Sequence, residues 1–130
     1  MKYFKRFFCF ILCLVSVCLL TACGSANVDY DLAADGDQAT YVTVTNMKKS
    51  PNNYKNKTYR IRGKITKNST LATLKGMDST GCCPWDLKLK EGNDNIVFTT
   101  SQKNVIVIGE YKSYKVGGQT SWYLVVNEIE

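Results

Sequence analysis

Two stretches of the chain share a pattern in which glycine replaces a core-facing side chain in mid-strand. One is Tyr59-x-Ile61-x-Gly63-x-Ile65, with Arg60, Arg62 and Lys64 on the alternate face. The other is Val105-x-Val107-x-Gly109-x-Tyr111. Strict alternation of apolar and polar residues is the period of a half-buried strand. An inward glycine in such a strand marks a sharp bend or the close approach of another backbone. A flat sheet has no use for two such positions, whereas a small sheet curling around its own core needs them.

The rest of the chain from Ala39 fits that demand. Alternating strands are predicted over residues 58–65, 71–77, 85–90, 105–114 and 121–127, with Val116-Gly117-Gly118 as a turn before the last. Residues 43–49 read as a short helix ended by Pro51. Residues 91–103 form a polar connection carrying Ile96-Val97-Phe98. About ninety residues suffice for one small core. Five strands, bent in the first and fourth, predict an all-β domain with one short helix over residues 39–130. The expected architecture is a small five-stranded Greek-key barrel of the OB type. An open five-stranded sheet packed on one helix is the competing arrangement.

The N-terminus carries an address. Lys2, Lys5 and Arg6 precede an apolar run from Phe7 to Leu20, broken only by Ser16. The run is short for a membrane span and fits the core of a secretory signal. It ends in Leu20-Thr21-Ala22-Cys23-Gly24, which resembles the bacterial lipoprotein signal. The resemblance implies that residues 1–22 are removed as a signal peptide and that Cys23 is the lipid attachment site. The mature chain would then be extracytoplasmic and held on the bilayer by its acyl chains. Residues 23–38, with Asp29, Asp31, Asp35 and Asp37, read as a flexible acidic tether. Their spacing is not that of a calcium loop.

Processing of this kind also changes the cysteine chemistry. Cys9, Cys13 and Cys18 leave with the leader and Cys23 is taken by lipid. Of six cysteines only the adjacent pair Cys82 and Cys83 remains, in Asp78-Ser79-Thr80-Gly81-Cys82-Cys83-Pro84-Trp85. Neighbouring Cα atoms are about 3.8 Å apart, less than the roughly 4.4–6.8 Å of an ordinary disulfide. Three readings stay open: two small packed groups, a strained vicinal disulfide, or a thiol pair that reacts or binds metal. A copper(I) dithiolate with Met47 or Met77 as a third soft ligand belongs to the last. Export permits oxidation, so the expectation for exported protein is a Cys82–Cys83 disulfide.

The chain has no histidine, which removes the commonest general base and metal ligand. No phosphate-cradling loop or paired Cys-x-x-Cys is present. An enzyme is not expected, nor a cofactor. The net charge is +6, and loss of the leader leaves fourteen basic and eleven acidic residues, a net of +3. That balance speaks against a dedicated nucleic-acid partner. Tyr111, Tyr114 and Trp122, with Tyr123 beside Lys112 and Lys115, are candidate ligand contacts near the last turn. Packing in the core and across the hairpin is their alternative role.

Met47, Pro51, Tyr54, Lys57 and Gly63, then Asp78, Cys82-Cys83 and Leu87, then Val107, Gly109, Tyr111 and Tyr123-Leu124 form a longer pattern. It resembles a family of bacterial OB-fold lipoproteins that carry a Cys-Cys pair after the second strand. Asn56 stands where those proteins more usually have glycine before the lysine. The resemblance implies fold and location and no defined reaction. The expected function is a membrane-anchored, extracytoplasmic OB-fold module that binds a ligand or serves an envelope protein. The alternative is a redox or soft-metal lipoprotein acting through Cys82 and Cys83.

Overall fold

The computed structural model describes residues 27–130. The expected signal peptide at residues 1–22 and the expected lipid attachment at Cys23 fall outside the described residues. The elements are β1 (Tyr30–Asp31), α1 (Leu32–Asp35), α2 (Asp37–Lys49), a 3-10 turn (Pro51–Asn53), β2 (Thr58–Lys67), β3 (Ala72–Met77), β4 (Pro84–Glu91), β5 (Ser101–Val116) and β6 (Gln119–Ile129). The described chain is mostly β, in one six-stranded sheet.

Pairing runs antiparallel from β2 to β3 and from β3 to β4, then parallel from β4 to β6, then antiparallel from β6 to β5. β5 pairs back onto β2, so the ladder returns to the strand where it began. β1 lies parallel to the start of β2, opposite Tyr59 and Arg60. Both patterned glycines sit at register shifts. The β2–β5 ladder slips between Gly63 and Ile65, and the β5–β6 ladder between Ile108 and Gly109. A Cβ on Gly63 would stand 2.7 Å from the Lys75 carbonyl oxygen, and one on Gly109 would stand 2.5 Å from that of Val125. At both places another backbone comes close enough to exclude any side chain, as the alternation predicts.

The inward residues of β2 to β6 meet in one core. Tyr59, Ile61, Ile65, Leu74, Leu124 and Val126 are fully buried there. Val44 and Met47 of α2 join them, three residues apart on one helix face. Ile96 and Phe98 of the long connection are also buried in this core. Asn56 adopts φ +60°, a left-handed conformation that asparagine tolerates better than most residues. Its N–H donates to the Tyr111 carbonyl oxygen at 2.8 Å. Gly117 and Gly118 both have positive φ, which closes the β5–β6 hairpin in two residues.

One expectation is corrected. Residues 29–38 are part of the fold, where a flexible tether was expected. The Asp29 N–H donates to the Thr58 carbonyl oxygen, and its carboxylate accepts from the Thr58 N–H. Tyr30 stacks on Tyr59 with ring centroids 5.1 Å apart. Asp31 caps α1 by accepting from the Ala34 N–H and pairs with Arg60 at 3.0 Å. Leu32 is 2% exposed. Asp29 and Asp31 act here as hydrogen-bond acceptor and cap, whereas Asp35 and Asp37 are exposed. Helix α2 starts at Asp37, six residues earlier than its pattern suggests, and the Thr40 hydroxyl donates to the Leu32 and Gly36 carbonyl oxygens.

Candidate functional site: the β3–β4 turn and the groove beside it

The adjacent cysteines sit in the six-residue turn joining β3 to β4. The turn is closed by the Asp78 N–H donating to the Cys83 carbonyl oxygen at 3.0 Å. Gly81, at φ +73°, supplies the left-handed step, and its N–H donates to the Asp78 carbonyl oxygen. The Asp78 side chain is the hub. One of its oxygens accepts from the Cys82 N–H at 3.1 Å and the Cys83 N–H at 3.3 Å, and the Thr80 hydroxyl donates to both oxygens. Burial opposes the charge on Asp78, but these hydrogen bonds outweigh it and hold the carboxyl below its ordinary range. Helix α2 touches the turn through Gln38, whose side-chain oxygen accepts from the Ser79 hydroxyl at 3.0 Å.

The two thiols are free, with sulfurs 2.8 Å apart; Cys82 is exposed and Cys83 half-buried. The hydrogen bond with Cys82, then burial and the neighbouring charges, pushes the Cys83 thiol up to about 11. Of the two methionines considered as soft ligands, Met47 is fully buried in the core, whereas Met77 is 52% exposed at the end of β3. The turn therefore departs from the picture of two packed cysteines.

A groove of about 600 Å³ opens beside the turn on the outer face of β2, β3 and β4. It is lined by Lys64, Thr73, Lys75, Gly76, Met77, Pro84, Trp85 and Asp86. A second depression of about 320 Å³ continues it past Arg62, Lys103 and Asn104 to Asp37. Register explains the charge. Lys64 stands directly opposite Lys75, and Lys75 opposite Asp86. Like charges directly opposed across strands cost stability. The one acid in that row, Asp86, is engaged by Lys48 of α2 at 2.6 Å. Among the described residues, no carboxylate lies within 4.0 Å of the charged nitrogens of Arg62, Lys64, Lys75 or Lys103. The Trp85 ring lies over Gly76, so close that a Cβ there would collide with it. Its Nε1–H is buried without a hydrogen-bond partner among the described residues.

The aromatic residues singled out from the sequence do not gather at one site. Tyr111 is 3% exposed and stacks on Trp122 on the inner face, with centroids 5.2 Å apart. Burial pushes the Tyr111 hydroxyl up to about 12. Tyr114 is on the outer face, edge-on to Tyr123, with Lys90 over its ring at 5.1 Å. Tyr111 and Tyr114 are three apart on a strand, an odd spacing that sends them to opposite faces. That parity was readable in the sequence. The Asp78 hub and the Lys64–Lys75 opposition were not, because both depend on turn geometry and register.

Compared with protein-family models, curated proteins and solved structures, the chain has no match.

Proposed function

We propose that the protein is a lipid-anchored, extracytoplasmic OB-type binding module that takes an anionic ligand in the groove across β2, β3 and β4. The observation that carries this reading is the row of cations that, among the described residues, have no carboxylate within ion-pair distance, two of them set directly against each other. Such an arrangement is unfavourable alone and is relieved by a bound anion. The order of pairings, with its parallel step from β4 to β6 and its return to β2, supports an OB-type Greek-key barrel. In that architecture β3 and β4 are the second and third strands, the face on which OB folds bind. The buried, unpartnered Trp85 N–H at the groove is a donor that a ligand oxygen could satisfy after a small ring movement.

Single-stranded nucleic acid fits less well than an acidic envelope component, because nucleic-acid grooves offer exposed rings for stacking. Among the described residues, Trp85 is the one aromatic lining this groove, and it is 5% exposed.

Polyglutamate serves as a model polyanion for the test. Binding to the mature chain in detergent is expected to weaken with salt. It is expected to fall about tenfold or more in Lys64→Glu/Lys75→Glu, since each reversed contact of 1.4 kcal/mol is a factor of ten. Binding that ignores both salt and this substitution would overturn the assignment of the groove.

A further inference from the structure

The turn between β3 and β4 has a property that the groove does not use. Three side chains bearing donor atoms converge on it: the Asp78 carboxylate and the thiols of Cys82 and Cys83. All three donor atoms lie within 4.8 Å of one another. They belong to one short turn tied at its base by the paired strands, so little freedom is lost when they meet a common ion. Cys82 is exposed, so an ion reaches the sulfurs directly from solvent. One Asp78 oxygen is occupied by two backbone N–H groups and the Thr80 hydroxyl, whereas the other accepts only from Thr80 at 3.0 Å. The carboxylate is thus oriented by its surroundings and keeps an oxygen with coordination capacity, the usual relation between a metal ligand and its supporting shell.

We propose that Asp78, Cys82 and Cys83 form a zinc site of two sulfurs and one oxygen, with solvent as the fourth ligand. The donor set chooses the metal. Zn²⁺ accepts thiolate and carboxylate together in a tetrahedral shell. Copper(I) favours sulfur and would take the cysteine pair alone, while calcium and magnesium take oxygen. Zn–S bonds of about 2.3 Å in a tetrahedral shell put two sulfurs roughly 3.7 Å apart. The pair stands at 2.8 Å, so an opening on the order of 1 Å suffices, within reach of a side-chain rotation at exposed Cys82. Binding exchanges two thiol protons for the ion: Zn²⁺ and two thiols give a dithiolate complex and two protons released to solvent, with no electron transfer.

The test uses the mature chain, reduced, then freed of reductant and metal under inert gas. It is titrated with Zn²⁺ against a chromophoric chelator, and with Cd²⁺ as a spectroscopic probe. The expected result is one ion per chain, proton release in weak buffer, and ultraviolet thiolate-to-cadmium absorption. Cys82→Ser/Cys83→Ser should lose all three. Asp78→Asn keeps an acceptor for the Cys82 and Cys83 N–H groups and should bind zinc about tenfold or more weakly, at least the effect of losing an outer-shell partner. Circular dichroism checks that this variant is folded; if it is not, Thr80→Val, which leaves the carboxylate in place but loosens it, should show a smaller loss. Absence of binding, or binding retained by the double serine variant, overturns the site. Undiminished zinc affinity in folded Asp78→Asn, or in Thr80→Val where that variant must stand in for it, also overturns it and leaves a site of sulfur alone.

Discussion

Gly63 and Gly109 differ from the turn glycines in what a side chain would strike. At each the obstacle is a carbonyl oxygen of a neighbouring strand, which cannot rotate away as a side chain could. Gly63→Val and Gly109→Val are each expected to destabilise by about 1–3 kcal/mol, the scale of overpacking. Denaturant midpoints equal to the parent's would show that neither strand bends at its glycine. Two tyrosines carry the pH dependence. Burial, as the leading cause, raises Tyr59 well above its ordinary range and pushes Tyr111 up to about 12. Below about pH 10 both hold their protons in folded and unfolded chains alike, so their contribution is complete. Above it the unfolded chain gives them up first, and stability falls as pH rises toward Tyr111's value of about 12. Thermal melts should show that decline, less steeply in Tyr111→Phe. Full tyrosinate absorbance near pH 10 in still-folded protein would contradict it. The glycines were legible in the sequence because an absent side chain interrupts an alternation visibly. The Asp78 hub was not, since nothing in its neighbourhood says which N–H groups a carboxylate will meet.

The elements of the central sheet followed their alternation closely, and the β5–β6 hairpin followed its two glycines. The segment before α2 did not follow its composition. Four aspartates in a small-residue stretch average to a solvated linker, yet one tyrosine and one leucine dock it. Leu32→Ala is the discriminating variant. A buried leucine lost from a core costs about 2–5 kcal/mol, whereas the same change in a tether costs almost nothing. Chemical denaturation of the variant reads the difference, and an unchanged midpoint would return residues 29–38 to the tether. Docking here depends on long-range partners: Thr58 for Asp29, Tyr59 for Tyr30, Arg60 for Asp31. Local pattern cannot report such pairings. The same holds for the groove, whose cations are ordinary outward residues of three strands until register sets Lys64 against Lys75.

Across the whole molecule, the circuit of pairings gives β2, β3, β4, β5 and β6 a partner on both sides. Arg60 then ties β1 to the residue that follows β6, reaching Asp31 and Glu130. The lipid anchor proposed at Cys23 is tested by Cys23→Ala, which should leave the protein unprocessed or released from membranes. Unchanged mobility in the membrane fraction would refute it. With that anchor, early docking of the chain would also set a leash. Between Cys23 and Asp29, the first docked residue among those described, lie only residues 24–28. Six Cα steps at no more than about 3.6 Å each give a reach of roughly 20 Å. A linker running to Gln38 would allow roughly 50 Å on the same count. With an anchor at Cys23, a domain on the shorter leash would stay within about its own width of the headgroups. It would sweep a thin layer over the bilayer and meet partners that lie in or against that surface, searching for them in two dimensions.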